Sequence, residues 1–424
     1  DFTLLGLTPL LYFFGDKPGL LYPATLHHLI KVLLTQQGGK FKRFVPKTFS
    51  LIEDTENHIL MINGSCYLKN RWMRMHGDTS EEFNNHKNGI ERKLLDYLLE
   101  IYNCGVYEFN SDPYEGYTLS ALLNLQDFGG DSIQLMAGKI LDRLNWEYEF
   151  GNYHFKRYPP FRRRYDRADK TNLEEDYHGA MMKTWIRFYD DSLNADIKRG
   201  MHHALWAAVM PYRPPDGAID LVLNKSNPYY VKIGHGYHSS PEIYSVDKNY
   251  FLSAGGVNRG KRSMIVARPI ILITDTTADN LHHVFNLAGP GENFMDWNNT
   301  GVYKNFACAA GAVITPADKK PVITDQNWKI FLIKAKEYLA VYSTSALGIM
   351  AICNADDPKK LLQKILLQNP GTGKLKTQFH HPDGDVIEYD VQAPRDEWVI
   401  TKVNHQPVNR NLDSWPFFDL VNYH

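Results

Sequence analysis

Two short polar stretches hold the residues best suited to chemistry. The first, "EDTENH" at 53–58, sets three carboxylates, an amide (Asn57) and an imidazole (His58) directly before the apolar run "ILMINGSCYLKN". Asp54 or Thr55 is placed to cap a helix, which puts Asn57 and His58 in its first turn. The face that follows, from Ile59 to Leu68, is apolar nearly all round, as in a helix buried between neighbours. Its first N–H groups still need partners, and a helix N-terminus favours anions. A carboxylate-bearing ligand would find an amide and an imidazole waiting there. The bland alternative is that Asn57 and His58 only satisfy local backbone groups.

The second stretch, "GVYEFNSDPYEGYTLSALLNL" at 105–125, gathers Tyr107, Glu108, Asp112, Tyr114, Glu115 and Tyr117. Pro113 and Gly116 read as loop residues, with Thr118 as the cap of the helix beyond, and loops on rigid helices are where sites collect. In the bland alternative these tyrosines pack the loop against the helices. A third stretch, "HFKRYPPFRRRYDR" at 154–167, concentrates Lys156, Arg157, Arg162, Arg163, Arg164 and Arg167 among aromatics. Arginine forks pair well with carboxylate or sulfate, although a solvated charge run between helices has the same composition.

The elements that must position these residues change character near residue 213. Upstream, about seven helical patterns follow one another with short Gly-marked breaks. "ERKLLDYLLEIYNCG" puts Leu94, Leu95, Leu98, Leu99 and Tyr102 on one stripe and closes on Gly105. "DSIQLMAGKILDRLNWEYEF" puts Ile133, Met136, Ile140, Leu141 and Leu144 at helical spacing. Nothing between the helices reads as a strand. The pattern suggests stacked helical hairpins, in an open or closed ring over 1–213. "PYRPPDGAIDLVLN" reads as the crossing to a second domain over 214–424. There, runs such as "SMIVARPIILITDTT", "YLAVYSTSALGIMAICN", "DVIEYDVQ" and "EWVITKV" alternate with turn signals, as in a β-sandwich or large antiparallel sheet.

Bulk properties narrow the partner. The 424-residue chain carries 47 basic and 48 acidic residues, a formal net charge of -1, which argues against a general nucleic-acid binder. No apolar run reaches the roughly 20 residues that span a bilayer. Four dispersed cysteines, Cys66, Cys104, Cys308 and Cys353, form no C-x-x-C pair and exclude the common zinc-ribbon spacings. They leave the redox compartment open. The 25 tyrosines and 8 tryptophans suit a surface that stacks sugars and suit a large core equally well. The chain begins at Asp1, as a trimmed chain would.

A helix opening with "ENH", followed after one intervening helix by "YEFNSDPY…TLSALLNL", resembles the (α/α)-toroid polysaccharide lyases of the heparinase II/III-like and alginate-lyase types, together with related uncharacterised bacterial proteins. The specific match covers about 53–127; elsewhere the agreement is one of architecture. The resemblance implies an N-terminal incomplete (α/α) toroid followed by an antiparallel β-sandwich domain, with an acidic polysaccharide or oligosaccharide bound in the cleft between them. By residue it implies that Asn57, His58 and Tyr114 are catalytic. Tyr107, Arg162, Arg164 and His238 would line the substrate site. It implies neither cofactor nor catalytic metal, and a periplasmic or secreted setting. His235, His282 and His283 are further imidazoles of the β half without a recognisable ligand spacing.

The implied reaction is β-elimination. It removes the weakly acidic proton beside a uronate carboxylate and expels the 4-linked sugar. Amide and imidazole donors would neutralise the carboxylate as charge spreads onto it. A tyrosine, which ionises near pH 10 in water, would take the proton once partly deprotonated, a form that a nearby cation or positive helix end favours. The same tyrosine or His58 would return one to the leaving oxygen. An inverting glycoside hydrolase using carboxylates among Glu56, Glu108, Asp112 and Glu115 is the alternative enzyme. A non-catalytic glycan-binding protein is the alternative outside enzymes.

Overall fold

A computed structural model describes residues 2–35, 42–45, 50–53, 55–106, 108–111, 114–158, 176–193, 196–198, 200–225, 227–237, 239–255, 270–274, 283–287 and 298–422. The chain divides into two units. One holds residues 1–149 and 175–219, the other 150–174 and 220–424.

The first unit is helical. Its elements are α1 (Phe2–Phe14), α2 (Pro23–His28), the strand pair β1 (Lys42–Val45) and β2 (Ser50–Glu53), α3 (Glu56–Ile59), α4 (Ser65–Met75), α5 (Ile90–Cys104), α6 (Tyr114–Phe128), α7 (Asp131–Gly151), α8 (Tyr177–Tyr189), α9 (Met201–Val209) and α10 (Asp216–Leu223). Two of the three unit boundaries fall inside helices, α7 and α10. The crossing segment "DGAIDLVL" is thus helical. Between α3 and α4 the helix continues through a π-helical turn, Leu60–Gly64. Such turns are rare and collect at functional sites.

The residues that its spacing places inside α7, Ile133, Met136, Ile140, Leu141 and Leu144, are buried, and so are Arg143, Asn145, Glu147 and Glu149. In α5 the buried stripe is narrower and turned, with Leu94, Leu98 and Ile101 inside and Leu99 and Tyr102 exposed. Helix α6 is the central element. Every residue from Glu115 to Leu125 except Tyr117 is buried. Its polar residues therefore need partners, and Asn124 shows how they find them. Pro9 inside α1 has no N–H to give the carbonyl of Leu5, four residues back. Asn124 Nδ2 donates to that carbonyl at 3.1 Å, while Asn124 Oδ1 accepts from Trp206 Nε1 at 3.0 Å. One amide thus ties α1 and α9 to α6.

The second unit is built on antiparallel sheets. The hairpin β3 (Asn152–Tyr153) and β4 (Lys156–Arg157) belongs to it, a strand pair that the sequence pattern did not reveal. Its seven-stranded sheet joins β5 (Tyr229–Ile233), β6 (Glu242–Asp247), β7 (Tyr250–Gly255), β8 (Ile270–Ile273), β9 (Phe285–Leu287), β12 (Val313–Ile314) and β21 (Asp419–Asn422). A six-stranded sheet joins β10 (Val302–Tyr303), β11 (Phe306–Ala309), β13 (Ile323–Asp325), β14 (Trp328–Lys334), β15 (Glu337–Ser343) and β16 (Gly348–Asn354). A smaller sheet joins β17 (Gln378–His380), β18 (Val386–Tyr389), β19 (Ile400–Val403) and β20 (Gln406–Pro407). One apolar core takes residues from all three, including Leu252, Leu272, Val341, Met350, Phe379 and Trp398. Helix α11 (Pro358–Gln368) lies between β16 and β17 in the chain and buries Leu361, Leu362 and Ile365 in the same core. All four cysteines are free thiols. Among the described residues no helix is long and apolar enough to cross a membrane.

Candidate active site

Thr55 is the N-cap of α3, but its hydroxyl makes no capping bond to the backbone. It donates instead to Asn57 Oδ1 at 2.7 Å, and that same oxygen accepts the backbone N–H of His58 at 2.6 Å. Asn57 Nδ2 donates to Glu108 Oε2 at 2.7 Å, and Glu108 N–H donates to Glu56 Oε1 at 2.7 Å. Asn57 is 0% exposed, and Glu56 and Glu108 are buried with it. The amide therefore does local work: it satisfies a first-turn N–H and neutralises part of a buried carboxylate. His58 is 8% exposed, its ring 5.5 Å from that of Phe2.

Tyr114 is the first residue of α6, not a loop residue, and Thr118 lies inside the helix, fully buried, instead of capping it. The sequence signal was misread because Gly116 looked like a breaker. Its role is steric. A Cβ at Gly116 would meet Tyr177 Cβ at 2.5 Å and His203 Cδ2 at 3.2 Å. Only glycine lets α8 and α9 approach α6 so closely.

Five residues that the sequence pattern places in ordinary helices join the site from those two helices and the cap of one. Asp176 caps α8 through Oδ1, which accepts from Gly179 N at 2.6 Å. Tyr177 and His178 follow in the first turn. His202 and His203 occupy the first turn of α9. Ring contacts link them: Phe2 to Tyr117 at 4.5 Å, Tyr117 to His203 at 4.6 Å, Tyr177 to His203 at 4.7 Å and Tyr177 to His202 at 5.0 Å. The signal available was a polar or aromatic pair beside each helix start, "YH" after Asp176 and "HH" after Gly200, as with "NH" after Glu56.

Electrostatics separate these groups. Burial, then the neighbouring His202, pushes the His203 imidazole down to about 3, so it is neutral at ordinary pH. The Ser120 hydroxyl donates to the Gly116 carbonyl at 2.9 Å and so accepts from His203 Nδ1, also at 2.9 Å. His203 Nε2 is buried without a hydrogen-bond partner among the described residues. Burial, then the phenols of Tyr177 and Tyr114, raises the Tyr117 pKa and keeps it a neutral donor. Behind this layer, His178 Nε2 lies 3.0 Å from Asn145 Oδ1, and Nδ1 lies 3.5 Å from Glu115 Oε1. Asn145 Nδ2 donates to Tyr212 OH, which donates to Asp142 Oδ1 at 2.7 Å.

Of the expected site residues, Asn57, His58 and Tyr114 all lie in the helical unit, on the first turns of α3 and α6, which pack together. Tyr107, Arg162, Arg164 and His238 lie outside the described residues, as do Asp112 and His282. Arg157, read as part of an exposed basic run, is buried in β4. His235 is buried in the second unit, where its Nε2 lies 2.8 Å from Glu242 Oε1 and Tyr244 OH donates to the same carboxylate. Among the described residues no group of three or more His, Cys, Asp or Glu side chains is gathered as a metal cage would require. No protein-family model, curated protein or solved structure matches the chain.

Proposed function

We propose that this is a lyase-like protein that cleaves a uronate-containing polysaccharide by β-elimination, with an incomplete (α/α) toroid carrying the chemistry and an antiparallel β-sandwich domain following it. The observation that carries the reading is the gathering of helix starts. The first turns of α3, α6, α8 and α9 and the first residue of α1 form one chain of ring and hydrogen-bond contacts. Each helix start carries roughly half a positive charge. Several together favour a carboxylate and, more so, the doubly charged species that forms as its neighbouring proton leaves.

In this reading Tyr114, acting in its deprotonated form, takes that proton and becomes the neutral phenol, and His58 donates to the carboxylate. Asn57 contributes through the turn it holds, since its amide is engaged with Glu108. Tyr117, kept neutral, offers a second hydroxyl donor one turn along α6. The proton returns to the leaving oxygen from Tyr114 or His58. The engagement of Glu56, Glu108 and Glu115 with protein groups weighs against a hydrolase, which needs two carboxyls free to act on sugar and water. Helix-on-helix packing in the first unit, with α6 against α1, α3, α8 and α9 and with α8 against α9, supports the toroid, and antiparallel sheets sharing one core support the sandwich.

The test is turnover on acidic polysaccharides, followed by the ultraviolet absorbance of the unsaturated sugar that only elimination produces. Tyr114→Phe is expected to abolish that signal while leaving substrate affinity within about threefold, because the ring and its packing remain. Full turnover in this variant would remove Tyr114 from the mechanism. Reducing ends without absorbance would identify a hydrolase.

A further inference from the structure

We propose that Tyr117, Tyr177 and His202, flanked by Phe2, form a second sugar position that stacks on the apolar face of the residue next to the uronate. This rests on the reading of the Tyr114 end of α6 as the site of elimination, and it adds a subsite to it. Four rings from four different helix starts follow one another at steep angles: Phe2 to Tyr117 at 4.5 Å and 48°, Tyr117 to Tyr177 at 6.2 Å and 86°, and Tyr177 to His202 at 5.0 Å and 78°, a stepped wall against which a sugar meets one ring face-on and its neighbours edge-on. Phe2 is 46% exposed, His202 is exposed, and both tyrosines are half-buried. The row therefore reaches the surface instead of closing into core.

The underside of the row is fixed. His203 touches both tyrosines and is anchored on Ser120, and the missing side chain at Gly116 seats Tyr177 against α6. Rings held this way lose little freedom when they bind, which is what makes an aromatic surface effective. The row also abuts the proposed chemistry. Phe2 contacts His58, and Tyr117 lies one helical turn from Tyr114. A sugar held at His58 and Tyr114 would pass its neighbour over Tyr117, Tyr177 and His202. Aromatic rings recognise the C–H face of a pyranose, whatever charge its substituents carry, so the position selects for chain length.

The experiment is calorimetric binding of two probes to the whole chain: free glucuronate, and a tetrasaccharide that alternates glucuronate with N-acetylhexosamine. Tyr177→Leu and His202→Ala are each expected to weaken tetrasaccharide binding about tenfold and leave glucuronate binding unchanged. Tyr177→Phe, which keeps the ring, should bind the tetrasaccharide like the parent. His202 is exposed, so its substitution keeps the test valid even where Tyr177→Leu disturbs folding. The subsite is overturned if His202→Ala and a folded Tyr177→Leu both bind the tetrasaccharide as the parent does, if both probes weaken equally, or if the parent binds neither. Tyr114→Phe separates the two ideas. Retained elimination in that variant removes the catalytic reading, while the loss of tetrasaccharide binding in Tyr177→Leu would still establish the subsite.

Discussion

His203 sits in contact with two phenols and another imidazole, with one nitrogen bonded to Ser120 and the other buried and unpartnered. Its pKa falls from 6.5 to about 3 on folding. Below about pH 6.5 the unfolded chain takes up a proton that the folded chain refuses until about pH 3. Stability therefore declines as pH falls through that window, by up to about 1.4 kcal/mol per pH unit from this one residue. His203→Phe should flatten the acid side of the stability profile, measured by urea unfolding at pH 7, 5.5 and 4. A profile as steep as the parent's would show that His203 titrates normally. None of this was legible in the sequence, where "MHHALW" gives only a helix start. Asn57 and His58 were legible as first-turn residues because a cap followed by an apolar run is a local signal. That Asn57 would be engaged with Glu108, 51 residues away, was not.

The helices became legible in proportion to how one-sided they are. The first half of α7 buries one face, which its apolar spacing names correctly; from Ile140 onward no side is exposed, and the spacing says nothing of the buried Arg143, Asn145, Glu147 and Glu149. Helix α6 is buried nearly all round, so periodicity says little about where it begins, and the proline and glycine near its start were read as a loop. Helix α11 escaped the sequence reading although Asp357 caps it, accepting from Lys359 N and Lys360 N, and Pro358 opens it. Its local signal, a capping Asp, a first-position Pro and Leu361, Leu362 and Ile365 at helical spacing, stood inside a half read as strands throughout. The close approach of three helices at Gly116 makes a prediction at this scale. Gly116→Ala would force a Cβ to within 2.5 Å of Tyr177 Cβ. Overpacking of this kind costs about 1–3 kcal/mol. It should appear as a lower unfolding midpoint together with a shifted Tyr177 environment in near-ultraviolet dichroism. An unchanged midpoint would mean that α8 yields freely.

At the scale of the whole molecule, the mixture of helical and antiparallel parts was legible from composition and turn spacing. The weave of the chain was not. Residues 150–174 group with the sheets although helices precede and follow them. The reason is long-range packing: the rings of Tyr153 and Tyr158 lie 5.7 Å and 5.2 Å from that of Phe251, and Gly151 lies against the Tyr244 hydroxyl. A fragment ending at residue 219 would carry these rings without their partners. It should bind an apolar dye and be cleaved rapidly between 150 and 174. The same fragment with that segment replaced by a Gly/Ser linker of equal length should resist both. A 1–219 fragment as resistant and dye-silent as the full chain would mean that the segment packs elsewhere.

The interleaving also bears on how the chain emerges from the ribosome. The helical unit cannot close before residue 219 is made, and by then the other unit's first segment has already left the tunnel and waits for Tyr244 and Phe251. Each unit is begun before the other is finished. Recombination at a single point would therefore carry one unit whole only together with a piece of the other, which ties their inheritance together.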